Sequence, residues 1–358
     1  MERWNTLFQA DLRSCLPIRN AFNAGKSVLI TGAGGYIGSA LAKAIAGADP
    51  RLLILVDHSV ENLDRVRSNL ESVPQAAICG NITNQNLLTE VFEKYRPDTI
   101  YHAAAQKHVP QGEQDPLSTI ENNVFGTEML ARTAIAFATP QLTMISTDKA
   151  VRPSSIMGAS KRVAELVILS LAGATTGMNA VRLGNVFGSS GSVVPRFAEQ
   201  IANGGPLTVT HPEARRFFMT LPEALEIIFA TAAIGDSGLF IPELGEPLQI
   251  LDLARRMAGG DTRLSDIIFT GLRPGEKVSE ETLSAGEFTT PTKDRLLFRV
   301  NGRHVAPGAL DSALKDLSTA VEAHDLARVL EALLRLVPEY VPSESLSALA
   351  ALGGVTTP

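Results

Sequence analysis

The sequence predicts an α/β protein, a doubly wound parallel sheet with a smaller, partly discontinuous second domain. Three observations predict it. Short apolar runs alternate with helical-period segments from residue 26 to about 188, the pattern of parallel strands joined by crossover helices. A glycine-rich turn, Gly32-Ala33-Gly34-Gly35-Tyr36-Ile37-Gly38, follows the first apolar run. A polar cluster, Ser146-Thr147-Asp148-Lys149, closes the apolar run at 142–145, at the strand end where open α/β sheets bind ligands. Together these are the Rossmann arrangement, with a dinucleotide-binding domain over residues 25–190.

Taken in order, residues 1–24 have no clear period and read as an arm. Residues 26–31 form a strand and 39–46 a helix, so the glycines at 32, 35 and 38 sit between strand and helix. That turn lets backbone amides and a helix N-terminus approach a pyrophosphate. Gly32, Gly34, Gly35, Tyr36 and Ile37 are the candidate cofactor residues there. The strand at 52–56 ends in Asp57, 19 residues after Gly38, near the spacing of an acid that bonds an adenosine ribose. A carboxylate repels a 2′-phosphate, so NAD is favoured over NADP. His58, Ser59 and Arg65 are the neighbours that would otherwise receive such a phosphate.

A third strand at 76–79 leads to Asn81 and Ile82, and Asn81 offers an oxygen to the adenine amino group. A helix near 85–94 and a strand at 99–102 lead into Ala103-Ala104-Ala105. Small residues after a strand let the backbone pass beside a cofactor. Asn122 and Asn123 begin or lie within the next helix. From about residue 155 the spacing of Met157, Val163, Ala164, Val167, Ile168 and Leu171 is helical. Met157 and Lys161 then share a face and point back at the strand end. Residues 191–340 hold substrate-binding segments interleaved with returns to the sheet. The spacing at 309–336 reads as one helical stretch, and 341–358 as a packing element, an oligomer element or a frayed end.

Composition bounds the class. The chain has 358 residues, 45% hydrophobic and 20% charged, as in an ordinary soluble globular protein. A net charge of −6 argues against nucleic acid or an anionic membrane as partner. Cys15 and Cys79 are too few and too isolated for a disulfide framework or a metal site, and suit a reducing cytoplasm. Glu2, Arg3, Asp11 and Arg13 exclude a signal peptide. No apolar run of about 18 residues is present, so no membrane span is expected.

Short-chain dehydrogenases carry a Tyr and a Lys four apart on the helix after the central strand. Here Met157 holds the Tyr position, and a thioether moves no proton. Ser-Thr-Asp-Lys-Ala-Val-x-Pro at 146–153, followed by Met-x-x-x-Lys, resembles one subgroup of the extended short-chain dehydrogenases. These are the polysaccharide-biosynthesis nucleotide-sugar dehydratases, typified by UDP-N-acetylglucosamine 4,6-dehydratases. His-Ala-Ala-Ala-x-Lys-His-Val-Pro at 102–110, Arg-Phe-Phe-Met-Thr at 216–220 and Leu-Arg-Pro-Gly-Glu-Lys at 272–277 extend the resemblance over roughly residues 20–340. Asn81 departs from it, since many relatives have Asp there. Many relatives also carry membrane helices ahead of the catalytic domain. This chain looks like a soluble, cytoplasmic form.

The resemblance implies NAD as cofactor, a UDP-sugar as substrate and a homo-oligomer. Lys149 is implied as base, Asp148 as acid and Thr147 as partner of the sugar C4 hydroxyl. Lys161 would hold the nicotinamide ribose, and Met157 would pack near the sugar. Lys107, His108, Asn185 and Val194 are implied at the substrate, with Arg216 and Arg273 on its diphosphate. Glu276 would brace an Arg, and Asn123 would hold the active-site backbone. The elimination needs a neutral base beside a protonated acid. Burial and nearby Lys161 are expected to lower the Lys149 pKa, and burial to keep Asp148 protonated. Asp148 or a water would take the C4 hydroxyl proton, and the Met subgroup suggests retention at C5. The alternatives are a sugar 4-epimerase and a non-catalytic cofactor sensor.

Overall fold

The structure, a computed structural model, describes residues 20–352 except 71–72, 174, 260–266, 303–304 and 306. The arm at 1–19, with Cys15, and the last six residues of the tail lie outside the described residues. A nine-stranded sheet forms the centre. Its strands are β1 (Ser27–Thr31), β2 (Leu52–Asp57), β3 (Gln75–Cys79), β4 (Thr99–His102), β5 (Gln141–Thr147) and β6 (Gly177–Leu183). The other three, numbered after short strands outside the sheet, are β11 (Gly238–Pro242), β14 (Phe288–Pro291) and β15 (Leu297–Asn301). The order is β3-β2-β1-β4-β5-β6-β11-β15-β14. Strands β3 to β11 in that order are parallel, and β15 and β14 are antiparallel.

The central strands β1, β2 and β4 are covered on both faces, which explains their nearly continuous apolar runs. Val28 and Ile30 of β1 pack on one side with Leu41 and Ile45 of α1 (Tyr36–Ala46). Phe229, on a later helix (Leu221–Ala233), joins them there. Leu29 faces the other way, against Phe92 of a helix at Gln85–Tyr95 and Leu130 of one at Gly126–Ala136. Successive residues of a strand point to opposite faces, so one apolar run feeds two layers. Phe92 is wholly buried, and Phe92→Ala would cost about 3–5 kcal/mol.

The central strand runs further than its apolar stretch. β5 continues to Thr147, with Ser146 opposite Arg182 and Thr147 opposite Leu183 on β6. The ladder thereby carries two polar residues into the ligand end of the sheet. Asn123 falls in a π-helical turn, Glu121–Phe125, a form that concentrates at functional sites.

Outside the nine-stranded sheet the strands are short and pair two by two. β7 (Asn185–Val186) pairs with β10 (Phe218–Met219), β8 (Leu207–Val209) with β13 (Ile267–Phe269), and β9 (Arg215–Arg216) with β12 (Leu248–Gln249). Two helices, Val193–Ala202 and Ile250–Met257, close a separate small core around Phe197, Leu207 and Leu253.

The helical spacing at 309–336 divides into two helices, Pro307–Glu322 and Leu326–Leu336. His324 takes a left-handed φ of 53°. Asp325 then caps the second helix by accepting from Arg328 N. Both pieces bury into one cluster, which is why their apolar spacing reads as continuous. A last helix, Glu344–Ala351, buries Leu346 in the same cluster. Among the described residues no helix is long and apolar enough to cross a membrane.

Candidate active site

A cleft of about 740 Å³ opens at the ligand end of the sheet, between its turns and the short paired strands with their helices. At the cofactor end, Gly32 turns the chain with φ +67°, and a Cβ there would lie 2.6 Å from Ala104 N. Only glycine lets that backbone pass. Gly35 begins α1 without any side-chain cap. The first-turn amides therefore stay available, as a pyrophosphate requires. Gly32, Gly35, Tyr36 and Ile37 line the cleft, as do His58, Asn81, Ile82 and Ala103, Ala104 and Ala105. Asp57 lines it too, and its carboxylate is aimed by two amides, Gly34 N at 2.9 Å and Ser59 N at 3.0 Å. Gly34 and Ser59 thus act behind the wall and not on it; Ser59 also caps the helix Val60–Ser68. Arg65 is engaged with Asn62 and Gly34 O. Asn81 Oδ1 already accepts from Thr83 N. An uncapped helix start, a glycine cradle and an oriented carboxylate fit a dinucleotide.

Thr147 and Lys149 stand over the middle of the cleft. Thr147 Oγ1 donates to Asp148 Oδ1 at 3.0 Å. Lys149 Nζ donates to the same oxygen at 2.9 Å and to Asn185 Oδ1 at 2.9 Å. Asp148 is 1% exposed, and its Oδ2 is buried without a hydrogen-bond partner. Ser155 caps α7, our label for the helix Ile156–Ser170. This helix sets Met157 and Lys161 on the cleft wall together. Lys161 is buried, and its ammonium makes no hydrogen bond to any described residue. Burial pushes its pKa down to about 8, against the pull of Glu165. His102 bridges Thr31 and Thr127, and burial with Lys161 pushes it down to about 3, so it is neutral.

The expected lowering of Lys149 is corrected. Burial alone would lower it, but Asp148 and Glu280 outweigh both burial and Arg216, and its pKa is raised. Burial depresses Lys161 instead, and on the same cleft also Lys107 and Lys277. Asp148 is raised by burial, as anticipated, against the pull of Lys149. As an ammonium–carboxylate pair the two can share one proton. Moving it across the 2.9 Å bond gives an amine and a carboxylic acid with no change in net charge.

At the substrate end, Lys107, His108, Asn185 and Arg273 line the cleft. Lys107 Nζ reaches Ser190 O at 3.0 Å. Two placements differ from expectation. Val194 faces the small core beside Phe197, and Val193 takes the cleft position one step away on its helix. Arg216 lines the cleft, yet its guanidinium is committed to the carbonyls of Arg215, Lys277 and Val278 at 2.7–3.0 Å. Asn123 holds Gln106 through both backbone groups and also bonds Ser160, so it supports the wall without forming it. Glu276 lines the cleft and braces Arg273 through its backbone amide at 3.2 Å.

Sequence reasoning missed Glu280, Lys277 and Arg196, all on the cleft. It also missed the buried ion cluster beneath, in which Arg162 and Arg182 share Glu165 and Glu287. A signal existed for the cluster. Arg182 interrupts an apolar strand, and a charge so placed is almost never buried unpaired.

Fold and site together define a dinucleotide-binding protein of the extended short-chain dehydrogenase class. The profile described as "Polysaccharide biosynthesis protein" matches residues 28–301, and the chain belongs to that family. It is 38% identical over 315 residues to the capsular polysaccharide biosynthesis protein CapD of Staphylococcus aureus. That match covers 85% of this chain and 53% of CapD, so the chain spans about half of that relative's length. Pen from Bacillus thuringiensis, a solved structure, matches with a TM-score of 0.71 at 27% identity, over 82% of this chain and 99% of Pen. The dTDP-glucose 4,6-dehydratase DesIV of Streptomyces venezuelae, solved with NAD bound, shares the fold. Its TM-score is 0.61 at 22% identity, over 71% of this chain and 87% of DesIV.

Proposed function

We propose that the protein dehydrates a UDP-sugar with NAD as cofactor, converting UDP-N-acetylglucosamine to its 4-keto-6-deoxy product. The observation that carries this reading is the Asp148–Lys149 hydrogen bond beside Thr147, over the cleft that Lys161 enters. An epimerase has no use for such a pair. NAD bound in the cradle would take hydride from sugar C4 and return it to C6.

The chain's own groups do the rest. Thr147 hydrogen-bonds the C4 hydroxyl, whose proton passes to a water as the hydride leaves and returns to Asp148 after the elimination. With the shared proton on Asp148, the Lys149 amine removes the C5 proton and Asp148 protonates the departing C6 hydroxyl. Water leaves, and the proton held on Lys149 returns to C5 on the face it left. Lys161 binds the nicotinamide ribose, and Met157 walls the sugar. Arg273 is the guanidinium left for the diphosphate. Arg196, exposed at the cleft, can join it. In this reading the protein acts in the cytoplasm as a homo-oligomer.

Incubating purified protein with UDP-N-acetylglucosamine and NAD tests it. A product lighter by the mass of water supports the proposal. An isomer of unchanged mass would make the protein an epimerase, and unaltered sugar would leave a cofactor sensor.

A further inference from the structure

The strap from Arg273 to Glu287 grips the catalytic stretch repeatedly. Gly275 O accepts from Ser154 Oγ at 2.9 Å, and Lys277 Nζ donates to Val151 O at 2.7 Å. Arg152 meets Glu281 through its side chain and Ser284 through its amide. In the middle of the strap stands Glu280, 6% exposed.

Its carboxylate is surrounded by cations at more than hydrogen-bond length. Oε1 lies 3.7 Å from Lys149 Nζ and 3.8 Å from Arg216 Nε, and Oε2 lies 3.6 Å from Lys277 Nζ. Oε2 is buried with no hydrogen-bond partner. Lys149 is thus held between two carboxylates, Asp148 in contact and Glu280 at a distance.

We propose that Glu280 is a positioning residue that sets which member of the Asp148–Lys149 pair carries the shared proton, acting by charge and without touching the sugar. The inference rests on the dehydratase reading of the pair. The groups facing Lys149 are Asp148, Asn185, Glu280 and Arg216; those facing Glu280 are Lys149, Arg216, Lys277 and, through its charge, Asp148. Glu280 keeps its own charge because these three cations outweigh its burial. Its charge raises both members of the pair. For one shared proton these pulls compete, and the 3.7 Å approach of Glu280 to Lys149 Nζ tips it towards the ammonium, the resting form from which the proton must cross to Asp148 before elimination.

Two readouts test this. Competitive acetylation of the full chain with acetic anhydride, across roughly pH 7 to 11, gives the Lys149 midpoint by peptide mass without any substrate. Glu280→Gln should lower that midpoint by about one unit or more, and Arg216→Gln should raise it, because like charge opposes protonation. Unchanged midpoints in both variants, or movement in the same direction, overturn the proposal.

In turnover, the acidic limb of the kcat profile of Glu280→Gln should shift the same way, with Glu280→Asp restoring it. A uniform drop without a shift would indicate mere packing. If wild type forms no dehydrated sugar while the acetylation shifts persist, the dehydratase reading falls and the charge assignment survives.

Discussion

Arg182 on β6 grips Glu165 on α7 with two parallel bonds, Nε to Oε1 at 3.0 Å and Nη2 to Oε2 at 2.9 Å. Ser146 adds a third bond to Glu165, at 2.6 Å. The strand that delivers Thr147 and Asp148 is therefore pinned to the helix that delivers Met157 and Lys161. Burial would raise Glu165, but Arg182, Arg162 and Ser146 hold it down to about 2. Its folded pKa lies below the ordinary 4.5, so its contribution is complete above that value and is lost as pH falls towards 2. The loss is roughly 3 kcal/mol. Urea unfolding of wild type should record that slope, and Glu165→Gln should lack it. At pH 7 that variant should be less stable by about 3–5 kcal/mol, since two buried guanidiniums are left sharing Glu287.

Lys161 has the opposite linkage. Its folded pKa of about 8 lies below the ordinary 10.5, so the unfolded chain binds more protons between these values and stability rises with pH there. At pH 7 the buried ammonium costs up to about 3 kcal/mol. Lys161→Met is expected to raise the Tm of the cofactor-free protein and to abolish turnover. A lower Tm at pH 7 would contradict the buried-charge account.

Gly32→Ala should weaken NAD binding at least tenfold, read by cofactor fluorescence titration. The added methyl meets the Ala103–Ala104 backbone, at a φ that disfavours side chains. Wild-type affinity in this variant would show that the turn can yield.

Lys149→Ala and Asp148→Asn should each retain bound NAD and lose about 10²–10⁴-fold in formation of dehydrated product, the range for a positioned acid or base. Mass analysis of the product against cofactor content separates chemistry from binding. Normal turnover by either variant removes that residue from the mechanism.

Most of the sheet was legible because period and punctuation agree. The strand at 99–102 and the glycine turn at 32–38 needed no tertiary information. What was not legible depends on which side of a wall a residue takes. Val194 and Val193 are one step apart and chemically alike, and only the seat of their helix on the small core separates them. Arg216 read as a phosphate ligand because its guanidinium suits one, yet two carbonyls of the strap and that of Arg215 reach it first. The protonation of Lys149 was misjudged because Glu280 lies 131 residues further along the chain. No local spacing foretells that meeting.

Glu113 joins two distant parts of the chain. One oxygen accepts from Ile156 N at the start of α7, and the other accepts from Ser343 Oγ, just before the final helix. Domains form largely in the order in which they leave the ribosome. A nascent chain can shape its cradle early, but the helix bearing Lys161 gains this clasp only after Ser343 has emerged. The clasp on that helix is thus completed by a residue 230 positions beyond Glu113.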